Sequence, residues 1–215
     1  MGSMFGLDEK IASLASARPL TALAVAMLLG LRHPFDPDHL AAIGAMARQG
    51  RARSAAIGLS WGAGHATTVI AVGVPVLLWT AVLPHPAQRA VETFIGVVIF
   101  ALGARLLLRH GRDGLHPHPH RRPERLREAY AVGVVHGAGG SAGIGLLILG
   151  AIPNLDVALA GLLVFALSTA LAMGAVAAGL GRALRRVPVG LAGASTCAFG
   201  AWYVAAAALG APYPF

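Results

Sequence analysis

The sequence predicts an all-α, polytopic membrane protein of about six transmembrane helices, the first of them discontinuous. Three observations lead there. Charge is scarce: 12% of the 215 residues are charged and 56% are hydrophobic, whereas a soluble domain carries about 25% charged residues. Most of the charges gather between long uncharged stretches. A bilayer imposes that distribution, because a charge at the centre of a spanning helix costs roughly 2.5–3.5 kcal/mol. Finally, arginine-rich and arginine-poor loops alternate along the chain.

Residues 7–18 are expected to form a short interfacial helix, with Leu7, Ile11 and Leu14 on one face. Asp8 and Glu9 stand where a signal peptide would be positive, so no signal peptide is expected. The first span starts at Leu20. Its uncharged run ends at Leu31, about 12 residues or ~18 Å, too short to cross. Apolar character resumes from Leu40 to Met46, and Arg32-His33-Pro34-Phe35-Asp36-Pro37-Asp38-His39 lies between. Residues 20–46 therefore read as one transmembrane helix broken in its middle. Five further spans follow at 54–82, 90–108, 129–152, 155–180 and 188–210.

The loops orient these spans. Arg48, Arg51 and Arg53 follow the first, Arg89 alone follows the second, and a long basic loop, 109–128, follows the third. No basic residue separates the fourth from the fifth, and Arg182, Arg185 and Arg186 follow the fifth. The positive-inside rule then puts both termini outside. The 109–128 loop also holds His110, His116, His118 and His120, either a metal-collecting segment or a solvated linker. The whole chain, 1–215, reads as one transmembrane transporter domain.

A faint internal repeat runs at an offset of 103 residues. Gly30-Leu31-Arg32-His33 aligns with Gly133-Val134-Val135-His136, Gly58-Leu59 with Gly161-Leu162, and His65 with Ser168. Three spans per half would invert the second half relative to the first, a 3+3 arrangement that places a transported solute at the midplane.

The residues carrying chemistry lie in the broken span. His33, Asp36, Asp38 and His39 put two imidazoles and two carboxylates within seven residues. Pro34 and Pro37 cannot donate backbone hydrogen bonds, which frees the carbonyls of Gly30 and His33. Imidazoles suit nickel, cobalt and zinc, and carboxylates compensate their charge. The competing reading makes Asp36-Pro37-Asp38 an ordinary helix start outside the membrane. That reading leaves the short run 20–31 unexplained. His65, in Trp61-Gly62-Ala63-Gly64-His65, falls near mid-membrane; Gly58, Gly62 and Gly64 would let its ring meet the first helix. His136, in Gly133-Val134-Val135-His136-Gly137, is open to a packing role and to a ligand role. Glu92 fits a solvated helix end and Cys197 a small packing residue; one cysteine excludes an intrachain disulfide and a cysteine-based zinc site.

Gly30 to Ile43 resembles the signature of the nickel/cobalt transporter family, which runs close to G-L-R-H-A-x-D-A-D-H-I-A-A-I. Leu59 to Thr68 is similar to that family's second motif, a Gly-His pair on the following helix. The resemblance implies metal-binding roles for His33, Asp36, Asp38, His39 and His65, nickel or cobalt as the transported ion, and a bacterial-type inner membrane. It covers roughly the first half. Later, His136 to Gly143 looks more like the smaller urease- and hydrogenase-associated permeases, and the chain is too short for the eight or so spans of the larger members.

Other classes fit less well. The net charge of +8 does not imply nucleic acid, because the arginines cap apolar segments and form no single patch. A small-anion exporter of the sulfite type is disfavoured by Asp36 and Asp38. Gly139-Gly140-Ser141 resembles the nucleophile segment of rhomboid proteases, but 188–210 holds no histidine to serve as base. No enzyme and no prosthetic group are expected. A metal-binding chaperone or sensor that does not transport is a further alternative.

Overall fold

The computed structural model describes residues 19–48, 51–79, 84–112, 122–139 and 141–209. The expected interfacial helix at 7–18 and His116, His118 and His120 lie outside the described residues. Within them are α1 (Pro19–Arg32), a 3₁₀ turn (His33–Phe35), α2 (Pro37–Met46), α3 (Arg51–Trp79) and α4 (His85–Arg112). The second half holds α5 (Arg122–His136), α6 (Ser141–Gly150), α7 (Leu155–Ala183), a 3₁₀ turn (Leu184–Arg186) and α8 (Val189–Leu209). No strand occurs among the described residues.

The polarity is that of an integral membrane protein. Leu20, Leu28, Phe35, Trp79, Leu108, Leu167, Leu171, Leu191 and Leu209 are exposed, whereas His33, His39, His65, His136, Asp36 and Asp38 are buried. Water would reverse that preference; lipid hydrocarbon is as apolar as leucine and exerts no force to bury it. Four helices, α3, α7 and α8 in full and α4 from Pro86 to Leu108, are long and apolar enough to cross.

The two remaining expected crossings are each a pair of shorter helices. The break in the first falls where expected, between Arg32 and Pro37, with Asp36 as N-cap of α2 and Pro37 at its first position. Pro37 deprives the His33 carbonyl of its usual helical donor, yet that carbonyl is not left loose. The Asp36 amide takes it at 3.1 Å. The expected continuous span 129–152 is corrected: α5 ends at His136 and α6 starts at Ser141. Gly137, Gly139 and Gly140 fall in four residues, and each glycine disfavours helix by about 1 kcal/mol. Turn bonds from Gly139 to the His136 carbonyl (3.0 Å) and from Ala138 to that of Val135 (3.3 Å) replace the helical ladder. The 109–128 loop is also shorter than expected, because α4 runs to Arg112 and α5 starts at Arg122, with Pro123 in its first turn.

Packing is set by glycines that admit backbone against backbone. A Cβ on Gly30 would lie 2.0 Å from Ser168 Oγ and 2.6 Å from the Phe165 carbonyl, so α1 sits directly on α7. A Cβ on Gly133 would lie 2.0 Å from the Trp61 carbonyl and 2.9 Å from the His65 amide, so α5 sits equally close on α3. Helices α3 and α7 pack along each other, as do α4 and α8. Gly58 and Gly62 face α7 and Gly64 faces α5, so these glycines admit α7 and α5, while the His65 ring reaches His33 of the first broken helix. Hydroxyls reinforce the α3–α5 contact: Ser60 Oγ donates to the Leu126 carbonyl at 2.8 Å and Thr68 Oγ1 to that of Val134 at 2.7 Å.

Two apolar clusters bracket the middle of the bundle. One contains Ala26, Val69, Leu149, Leu162 and Phe165, the other Ile43, Ile57, Trp61, Met173 and Ala177. Gly133→Ala should lower thermal stability in detergent by several degrees, since overpacking a tight contact costs roughly 1–3 kcal/mol. Gly179→Ala, where a Cβ meets nothing within 4 Å, should leave the transition unmoved. Equal melting of both variants would show that the glycine contact does not hold the bundle.

Candidate metal site

The two helix breaks put ring nitrogens, rather than helix backbone, at the centre of the bundle. His33 sits in the 3₁₀ turn, Asp38 and His39 in the first turn of α2, His65 midway along α3, and His136 at the last residue of α5. All five are at most 3% exposed. Asp36, 7% exposed, is buried as well; the helix start that the competing reading expected at Asp36-Pro37 is present, but inside the bundle.

His33 Nε2 and His65 Nε2 are 3.1 Å apart. One nitrogen must donate and the other accept, so the contact requires a lone pair on at least one ring. The His39 ring packs edge-on to both, with centroids 4.4 Å from His33 and 5.3 Å from His65. Its Nδ1 lies 2.9 Å from Asp38 Oδ1, which leaves Nε2 buried and without a hydrogen-bond partner. Asp38 Oδ2 is 3.3 Å from His136 Nε2. One carboxylate thus touches two imidazoles with its two oxygens.

Asp36 is held apart from this set. Its Oδ2 lies 3.3 Å from His33 Nδ1 and its Oδ1 3.7 Å from the Arg32 guanidinium, which is itself exposed. The two carboxylates, Asp36 and Asp38, therefore do not share one set of neighbours. Each has its own cationic or imidazole neighbour, and Asp36 steadies the far edge of His33.

The donor set fits a divalent transition ion. Two three-residue groups, His33/His39/His65 and Asp38/His39/His136, each bring one ligand atom per residue within 4.8 Å of the others. His39 Nε2, His65 Nδ1 and His136 Nδ1 are all buried without a hydrogen-bond partner. Leaving a buried polar nitrogen unmade costs about 1–3 kcal/mol, and such groups call for an explanation. A cation accepted by these lone pairs supplies one. Nitrogen-rich donors favour nickel, cobalt, copper or zinc over magnesium and calcium, which take oxygen ligands.

Two aromatic side chains close the chamber. Trp61 stacks near His39 (5.4 Å) and His136 (5.6 Å), and Phe165 near His33 (5.6 Å). Both are at most 2% exposed. Phe165 was not visible as a site residue, nor was Thr169, whose Oγ1 is buried and lacks a hydrogen-bond partner. The pairing of His65 with Ser168 in the repeat points to that stretch of α7 and was the available signal. Cys197 is a packing residue as expected: its thiol donates to the Phe100 carbonyl at 3.6 Å, against Gly103.

The family described as high-affinity nickel-transport protein matches residues 20–110. That stretch carries both motifs from which the resemblance was drawn, Gly30–Ile43 and Leu59–Thr68. The chain is also 26% identical over 167 residues to the urease accessory protein UreH of Bacillus sp. (strain TB-90), an alignment covering 72% of this chain and 73% of that protein. The match extends the likeness into the second half, as the sequence around His136 suggested. No solved structure matches.

Because Trp61 lies over two of the imidazoles, Co²⁺ should quench its fluorescence. Trp61→Phe should remove most of the metal-dependent quenching, although Trp79 and Trp202 remain. Quenching that persists in full would place the ion away from this chamber.

Proposed function

We propose that this chain carries a divalent transition-metal ion, nickel or cobalt, across a membrane through the chamber formed by His33, Asp36, Asp38, His39, His65 and His136. The observation that carries the reading is the convergence of three buried imidazoles from the 3₁₀ turn, α2 and α3, with His39 Nε2 buried and without a hydrogen-bond partner. The similarity of residues 20–110 to a nickel-transport family and of most of the chain to a urease accessory protein supports nickel in particular. Asp38 orients His39 through Nδ1, the arrangement that raises a metal-bound imidazole's basicity. Asp36 does the same for His33. Their charges offset the charge of the cation in a medium where an unpaired ion is costly.

The transport architecture in this reading is six crossings in a 3+3 inverted repeat, with α1/α2, α3 and α4 in one half and α5/α6, α7 and α8 in the other. Support comes from the matched contacts: Gly30 on α7 and Gly133 on α3 are 103 residues apart, the same offset as the sequence repeat. Each half then contributes one broken helix to the midplane. Both termini lie outside a bacterial-type inner membrane. A sulfite-type anion exporter is disfavoured, because an anion entering the chamber would meet two carboxylates.

Flux of Ni²⁺ or Co²⁺ into vesicles holding the purified protein tests the reading. His39→Ala and His65→Ala should each lower flux by at least about tenfold, the scale of losing a supporting group at a metal site. The combined His116→Ala, His118→Ala and His120→Ala variant should lower it only modestly. Excess Mg²⁺ should not compete. Metal binding should also fall as pH drops below about 6, since a proton and the ion compete for the same imidazole lone pairs and free imidazole has a pKa near 6.5. Transport that stops in the triple variant while His39→Ala and His65→Ala transport normally would place the site in the loop.

A further inference from the structure

The chamber has two sides, and His39 belongs to both. Its Nδ1 faces Asp38 at 2.9 Å, and Asp38 in turn reaches His136 Nε2 at 3.3 Å. Its Nε2 is buried without a hydrogen-bond partner, and its ring packs against both His33 and His65. The five side chains do not form one set of mutually close donors; they form two sets with His39 in common. Metal–nitrogen bonds run about 2.0–2.1 Å. Two donors on one ion therefore stand no more than about 4.2 Å apart, even when opposite each other. Either three-residue set closes on an ion after a small inward shift. All five do not lie within that reach of one another as a single set.

We propose that the ion occupies two positions in succession, bounded first by His33, His39 and His65 and then by Asp38, His39 and His136. This deepens the transport reading above and rests on it. In the first position the ion sits on His39 Nε2 while Nδ1–H donates to Asp38, so Asp38 orients without binding. In the second it sits on the Nδ1 side, and Asp38 becomes a ligand. Water accompanying the ion takes the proton that Nδ1 gives up and supplies one to the vacated Nε2, so the ring stays neutral and no proton is gained or lost overall. His136 is the residue that distinguishes the two. It comes from the last residue of α5, just before the Gly137–Gly139 turn, whereas every ligand of the first position comes from the first half of the chain. The ion is thereby handed from the broken helix of one half to the broken helix of the other. His39, common to both sets, lets it move without passing through a state with no protein ligand.

Co²⁺ affinity of the purified full chain in detergent, measured beside Co²⁺ flux into vesicles, separates the positions. His65→Ala should lower both by at least about tenfold. His136→Ala should keep affinity within about threefold, because the first position is intact, while flux falls by at least about tenfold. His136→Gln, which keeps much of the bulk and a polar end, should behave the same way and covers the case in which the alanine variant fails to fold. If His136→Ala or His136→Gln weakens Co²⁺ binding as much as His65→Ala, all donors serve one shell and the two-position proposal is overturned. Unchanged affinity together with unchanged flux in the His136 variants overturns it too. If His39→Ala and His65→Ala both retain full affinity, the chamber itself is not the binding site, and the underlying transport reading falls with the proposal.

Discussion

The constraint on which the structure turns is the burial of four imidazoles and two carboxylates inside an apolar helix bundle. Each such group, left alone, is expensive to remove from water. Their cost is contained by pairing: Asp36 with His33 and Arg32, Asp38 with His39 and His136, and His33 with His65. Pairing these groups requires that side chains from α1/α2, α3 and α5 meet at one point. The helix breaks make that possible. An unbroken helix at 20–46 would spread residues 33, 36, 38 and 39 around its circumference at about 100° per residue. The extended backbone at Asp36, with ψ of 141°, turns Asp38 and His39 back toward His33.

The surrounding scaffold is built to hold those breaks without water. Gly30 and Gly133 bring the broken helices into backbone contact with α7 and α3, which excludes solvent at the turns. Trp61 and Phe165 seal opposite sides of the imidazole group and join it to the two apolar clusters. Among the groups left unpartnered after this packing, which include Arg48, Trp61, Arg125 and Thr169, are ring nitrogens of His39, His65 and His136. A structure optimised for stability alone would satisfy them or replace them with leucine. Open imidazole nitrogens at the centre of the bundle are what the proposed cation path would use.

Much of this was legible in the sequence, for identifiable reasons. The first break was readable because two prolines and five charged or ionisable residues interrupt a run too short to cross. His65 was readable as a partner because helical rise fixes its depth. The second break was not read, since its signal is only glycine, and glycine is also common as a packing residue in membrane helices. The partner choice of α3's glycines was likewise beyond reach: spacing shows a close approach but not to which helix. Phe165 and Thr169 escaped because an aromatic and a hydroxyl residue in an apolar span have no pattern of their own. The termini of α4 and α5 extended past the expected loop boundaries because charged residues end a hydrophobic run without ending a helix.

The most direct test of the central claim is X-ray absorption on the purified protein loaded with one equivalent of Ni²⁺. The account predicts the multiple-scattering pattern of two or three imidazoles, reduced by one in His65→Ala. A shell of oxygen donors alone, with no imidazole scattering and no change in His65→Ala, would contradict it.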